Sequence, residues 1–185
     1  MTRFAMVIDT KTCIGCGDCV VACKAENRVP DGLNRDWVVE ATRGKYPKLT
    51  TEFRSERCNH CSNATCVTLC PTGASHYWAG TNIVLVDPDM CTGCKACIAA
   101  CPYDARLVMH PDGYVDKCTF CHHRVQEGLD PACVSSCPTR CMHFGSLDDP
   151  ESEVSRLLRT RKYKVLKPET CLLYTSDAAD DQGLV

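Results

Sequence analysis

The sequence predicts an α+β fold assembled from small repeated units, each a cysteine-rich loop, a short helix and a short hairpin. Three observations carry this. The 185 residues hold 18 cysteines and few aromatics, too thin a supply for a conventional core, so bound metal has to substitute for buried hydrocarbon. Sixteen of those cysteines fall into four groups of four, leaving Cys141 and Cys171. The segments CPTGASHY from Cys70, CPYDARLV from Cys101 and CPTRCMHF from Cys137 align as cysteine, proline, turn and strand, which is an internal repeat.

Each element follows in chain order. Phe4–Asp9 reads as a strand entering the first group, Cys13, Cys16, Cys19 and Cys23, with a helix from Cys19 to Asn27. Pro30–Gly32 is a turn, and 31–54 reads as a polar connecting segment with a strand at Trp37–Val39. The second group is Cys58, Cys61, Cys66 and Cys70, followed by Pro71. Ser75–Trp78 and Ile83–Asp87 form a hairpin. The third group is Cys91, Cys94, Cys97 and Cys101, then Pro102, and Arg106–His110 with Tyr114–Lys117 forms a second hairpin. The fourth is Cys118, Cys121, Cys133 and Cys137, then Pro138, before a strand at Met142–Gly145 and an amphipathic helix over Glu151–Arg161.

Cys91–Pro102, CTGCKACIAACP, has the spacing C-x2-C-x2-C-x3-C-P. Three close thiolates wrap one [4Fe–4S] cluster, and the fourth, on a short helix, ligates the neighbouring cluster of a pair. The first group repeats the spacing with Lys24 in place of proline. The second has C-x2-C-x4-C-x3-C-P and the fourth C-x2-C-x11-C-x3-C-P. The second and third groups are adjacent and joined by one hairpin, so they pair. Cys58, Cys61, Cys66 and Cys101 are then one ligand set, and Cys91, Cys94, Cys97 and Cys70 the next. The first and fourth groups pair across the chain, as Cys13, Cys16, Cys19 and Cys137, and as Cys118, Cys121, Cys133 and Cys23. The cofactor expectation is four [4Fe–4S] clusters in tandem, interleaved ferredoxin-like units. One unit comprises 1–30 plus 118–150, and 55–117 is inserted into it. Zinc is the competing occupant, but zinc sites rarely use three cysteines at two-residue gaps followed by C-P. A disulfide scaffold scatters its cysteines rather than packing them.

Other residues beside the groups have ordinary readings. His60, His122 and His123 read as surface or tuning histidines, because every cluster already has four thiolates. Lys24, Lys95, Arg106 and Lys117 lie beside cluster cysteines, where positive charge would raise a cluster potential; the ordinary reading of any one of them is a solvated cation. Cys141 reads as a small buried hydrophobe. A net charge of −2 leaves no nucleic-acid footprint. Met1–Asp9 shows no apolar signal region or twin arginine, and no run of about 18 apolar residues implies a direct membrane span. Taken alone, the chain reads as soluble and made in a reducing compartment. No nucleophile–base pair, phosphate loop or nucleotide fingerprint is visible, so no catalytic residue is assigned. The residues read as an electron-transfer protein.

From Phe4 to about Lys167 the chain resembles the iron–sulfur electron-transfer (beta) subunits of complex molybdopterin oxidoreductases, of the polysulfide, thiosulfate, tetrathionate and dimethyl sulfoxide reductase type. AMVIDTKTCIGCGDCVVACKAEN, CNHC with CPTGA, CTGCKACIAACPYDAR, and DKCTFCHHR with CPTR and HFG carry the resemblance. It implies a molybdopterin catalytic subunit on one side, a polytopic membrane anchor subunit handling quinol on the other, and a role in anaerobic respiration. It implies that the Cys13/Cys16/Cys19/Cys137 cluster faces the catalytic subunit and the Cys91/Cys94/Cys97/Cys70 cluster the membrane subunit. It also implies membrane association through partners, at the periplasmic face after co-export or alternatively in the cytoplasm. A stand-alone polyferredoxin-type carrier for a soluble or hydrogenase-type complex is the alternative. Residues 151–170 are expected to form a C-terminal helix and extension. CLLYTSDAAD, from Cys171, resembles a translated sequencing-library adapter, so 171–185 is expected to be a non-native tail.

Overall fold

The computed structural model describes residues 1–166; the expectations for 167–170, Cys171 and the 171–185 tail lie outside them. The elements run β1 (Phe4–Ile8), α1 (Asp18–Asn27), β2 (Asp36–Lys45), β3 (Lys48–Arg57), α2 (Thr65–Thr68), β4 (Ser75–Tyr77), β5 (Val84–Val86), α3 (Ala96–Ala99), β6 (Leu107–Val108), β7 (Val115–Asp116), α4 (His122–Gln126), α5 (Ala132–Ser136), β8 (Met142–Ser146) and α6 (Glu153–Thr160). The strands pair antiparallel as β1–β8, β2–β3, β4–β5 and β6–β7. Helices of four or five residues do not persist alone. Here α5 packs against the ten-residue α1, and α2 against α3.

The β1–β8 pair joins the two ends of the fold, with Phe4 opposite Ser146 and Ile8 opposite Met142. On one side Val7 packs with Val154 and Leu157 of α6, flanked by Ala5, Leu147 and Tyr163. Ser152 starts α6: its hydroxyl accepts from Ser155 N at 3.1 Å and donates to Ser146 O at 2.6 Å. That cap ties the helix to β8. On another side Phe4 stacks on Phe144 at 5.4 Å, and Phe120 meets Phe144 edge-on at 5.2 Å. Ile83, Cys118 and Phe120 complete this cluster, which joins the β4–β5 hairpin to β1.

Buried Asn82 completes that junction. Its Oδ1 accepts from Phe4 N at 2.8 Å and its Nδ2 donates to Phe4 O at 3.0 Å, so one amide pairs with β1 as a strand would. The two hairpins beyond the second and third groups form where expected. The segment 31–54 differs. It contributes to a hairpin of two ten-residue strands, β2–β3, that closes at Tyr46–Pro47 and runs past the expected boundary to Arg57. The strand seen at Trp37–Val39 is only its start. The pattern failed because this hairpin buries polar residues, Asp36, Ser55 and Arg57, at its base.

Asn82→Ala is expected to lower stability by about 1–3 kcal/mol, because both part-buried backbone groups of Phe4 lose their partner. A melting temperature equal to that of the parent would contradict this use of the amide.

Candidate metal centre

The four cysteine loops share one backbone device. The residue before the second cysteine is left-handed in every loop: Gly15 (φ 70°), His60 (47°), Gly93 (66°) and Phe120 (52°). A second left-handed residue follows at Gly17 (77°) and Lys95 (63°), and Cys121 itself is at 47°. Left-handed turns aim successive N–H groups into a concavity that suits an anion. The conformation costs a non-glycine residue roughly 1–2 kcal/mol. His60 and Phe120 offset this by stacking on each other at 3.9 Å in the buried core. Close approach requires the glycines elsewhere. A Cβ on Gly15 would stand 2.6 Å from the Phe53 ring, and one on Gly93 2.7 Å from Gly113 O.

The loops collect thiols from distant parts of the sequence. Cys70, Cys91, Cys94 and Cys97 line one hollow of about 320 Å³, partly open to solvent, with Lys95 and Arg106. Asn27 Nδ2 lies 3.7 Å from both Cys23 Sγ and Cys121 Sγ. Arg35 holds that amide by donating to Asn27 Oδ1 at 2.8 Å while pairing with Asp116 at 2.6 Å. Cys133 and Cys121 are both close enough to Cys23 to raise its pKa. Thr65 donates to Ala100 O at 3.2 Å, which sets the second group beside the backbone of Cys101. Cys137 Sγ is 3.5 Å from Cys141 Sγ, and Cys13 is near enough to act electrostatically on Cys141. Among the described residues no three ligating side chains converge tightly enough for a single metal ion. A cubane, with its ligands spread over separate corners, takes thiolates from a wider cage.

N–H donors point at sulfur in several loops: Ser75 N to Cys70 at 3.3 Å, Phe120 N to Cys118 at 3.4 Å and Val115 N to Cys91 at 3.5 Å. The C-P-T repeats place Thr72 and Thr139 hydroxyls 3.7 Å from Cys70 and Cys137. In both cysteines these donors outweigh burial and lower the pKa. The deeper thiols go the other way. Burial first, then Asp36, pushes Cys23 up to about 12; burial drives Cys133 to about 12 and Cys118 well above its usual range. A coordinating metal deprotonates such thiols outright, which is how residues this deep become ligands. The donor set therefore fits iron–sulfur clusters: grouped thiols, left-handed loops and N–H groups directed at sulfur.

Buried cations surround these thiols. Asp36 accepts from Ser55 Oγ at 2.6 Å and from Arg57 Nε at 3.2 Å, while Ser55 Oγ also lies 3.4 Å from Cys19 Sγ. Lys117, with no exposed surface, donates to Val84 O and, at 2.7 Å, to Cys118 O. Arg106 is buried as well. The solvated reading of Arg106 and Lys117 is thus corrected; Lys95 is exposed, and Lys24 caps the turn through Pro30 O and Leu33 O. His60 is no surface histidine either. Its Nδ1 accepts from Val84 N at 2.9 Å, and burial, then the charges of Lys117, Arg106 and Arg57, hold it neutral. His123 pairs with Glu26 at 2.8 Å, and Cys141 is buried as expected. Asn27, Asp36, Ser55 and Arg57 went unread. Only the position of Arg57, directly before Cys58, hinted at a role.

A polypeptide that gathers sixteen thiols into four such loops is a ferredoxin-type iron–sulfur protein. Residues 49–147 match the family described as 4Fe-4S dicluster domain, and residues 12–74 match a second family of that description. Two dicluster units amount to four [4Fe–4S] clusters. The sequence is 46% identical over 168 residues to Protein NrfC of Escherichia coli (strain K12), covering 88% of this protein and 75% of that one. It is 43% identical over 171 residues to a tetrathionate reductase subunit of Salmonella typhimurium, 90% of this protein and 68% of that one. A polysulfide reductase polypeptide of Wolinella succinogenes is 41% identical over 173 residues, 92% and 89%. This protein belongs to the 4Fe-4S dicluster family of iron–sulfur subunits.

Gly15→Ala and Gly17→Ala separate the two reasons for glycine. Nothing lies within 4 Å of a Cβ on Gly17, so that change carries only the left-handed cost of roughly 1–2 kcal/mol. Gly15→Ala adds the collision with Phe53 and is expected to lower the melting temperature further; Phe53→Ala in the same protein should remove the excess. Equal effects at the two glycines would contradict the packing of β3 over the first loop.

Proposed function

We propose that the protein relays single electrons through four [4Fe–4S] clusters between a membrane subunit that handles quinol and a molybdopterin catalytic subunit. Such clusters each cycle one electron at potentials tuned by charge, hydrogen bonds and exposure. The observation that carries the reading is the gathering of thiols from remote groups around common loops, with exposed cysteines, Cys16 and Cys94, in the first and third of them. The names of the relatives, which are parts of tetrathionate and polysulfide reductases, support a place in a respiratory complex.

The ligand sets are those with exchanged fourth cysteines: Cys13, Cys16, Cys19 and Cys137; Cys118, Cys121, Cys133 and Cys23; Cys58, Cys61, Cys66 and Cys101; and Cys91, Cys94, Cys97 and Cys70. The shared amide of Asn27, the packing of α1 on α5 and of α2 on α3, and the β1–β8 pair support this exchange. They also support a unit of 1–30 plus 118–150 with 55–117 inserted. The β2–β3 hairpin then shields the first loop through Phe53, and the remaining protein excludes water from the buried thiols. No helix among the described residues is long and apolar enough to cross a membrane. In this reading membrane association runs through the anchor subunit. We place the complex at the periplasmic face, with this protein exported alongside its catalytic partner.

Anaerobically purified protein should carry iron and labile sulfide at about sixteen each per molecule, bleach with dithionite, and co-purify from membranes with a large pterin enzyme. A brown monomer confined to the soluble fraction contradicts the complex and favours a free carrier. Cys101→Ser should damage the cluster of Cys58, Cys61 and Cys66 and spare that of Cys91, Cys94 and Cys97. The opposite spectroscopic loss would contradict the exchange.

A further inference from the structure

The buried cations are not equivalent. Arg57 faces Asp36, so its charge is locally cancelled. Arg106 has no carboxylate partner among the described residues. Its Nη2 donates to Ser75 Oγ at 2.8 Å, and Nη1, buried, has no hydrogen-bond partner. Ser75 is itself fixed, because its N–H donates to Cys70 Sγ at 3.3 Å. A guanidinium held in this way and left without a counter-anion is costly unless an anion lies beside it. The anions at hand are thiols of two different ligand sets. Cys66 and Cys58 lie within its electrostatic reach on one side and Cys97 on the other, and Arg106 lines the hollow shared by Cys70, Cys91, Cys94 and Cys97.

We propose that Arg106 is a positioning residue for electron transfer: a fixed, unpaired cation that bridges the two clusters of the 55–117 unit and raises both of their midpoint potentials. The inference rests on the four-cluster ligand sets proposed above. A reduced cluster carries one more negative charge than an oxidised one, so a cation in low dielectric favours the reduced form. Because one guanidinium lies beside thiols of both sets, it would stabilise an added electron on either cluster. The free Nη1 would be available to donate to a bound cluster or its thiolates, and the Ser75 bond holds the fork in place. Lys95 is the natural contrast. It borders the same hollow but is exposed, so water screens its charge.

The test is a redox titration, followed by electron paramagnetic resonance, of the holo-complex purified anaerobically. Parent, Arg106→Gln, Arg106→Lys and Lys95→Gln are compared, with iron and sulfide counted in each. Arg106→Gln is expected to lower the potentials of two clusters and leave the other two unchanged; Arg106→Lys should restore most of the shift, and Lys95→Gln should move them less. Unchanged potentials in a fully loaded Gln variant, or a shift confined to one cluster, overturn the proposal. If the Gln variant does not assemble, Arg106→Lys decides. Four clusters near parental potentials support a role for charge, whereas lost clusters overturn it in favour of shape. Parent protein lacking clusters would instead sink the four-cluster reading on which the proposal stands.

Discussion

Everything in this structure depends on compensating polar groups that are buried in place of hydrocarbon. Among the described residues the hydrophobic cores are three small clusters, two of which contain buried cysteines. Between them lie thiols whose burial opposes ionisation, two cations without carboxylates, and a histidine held neutral. In an apo-protein these groups would be a liability, because an unpaired buried charge destabilises strongly. Thiolate–iron bonds reverse the sign. Cluster ligation would ionise the thiols and set anions beside Arg106, which would couple cluster assembly to folding.

The topology follows from the same need. No pair of short hairpins or four-residue helices is stable alone. Stability requires the β1–β8 pair, Asn82 on Phe4 and α6 on Val7, contacts that join residues far apart in the sequence. Such closure fixes the loops relative to one another, and fixed spacing is what an electron relay requires. The β2–β3 hairpin belongs to this logic. It lays Phe53 over the first loop and carries Ser55 to Cys19, Asp36 and Arg57.

Much of this was legible in the sequence because thiol ligation leaves regular spacing. The four groups, both hairpins after them, the strands at either end and the last helix, expected over Glu151–Arg161, could all be read from cysteine periods, turn residues and apolar spacing. What could not be read has a common cause. The base of β2–β3 buries polar side chains, so its alternation points the wrong way for a hydrophobic rule. The identical left-handed turn at Gly15, Gly93, His60 and Phe120 is visible only for the two glycines. Arg106 and Lys117 look like surface residues in any composition count. Arg106 is buried against thiols of cysteines elsewhere in the sequence, and Lys117 against the carbonyls of Val84 and Cys118.

The central claim is that clusters are shared between remote groups. Iron anomalous scattering from crystals of the anaerobically purified holo-protein tests it most directly. The expected map has four compact iron peaks, with Cys23 bonded to the peak held by Cys118, Cys121 and Cys133, and Cys137 bonded to the one held by Cys13, Cys16 and Cys19. A map in which Cys23 closes the cluster of Cys13, Cys16 and Cys19 would contradict the claim.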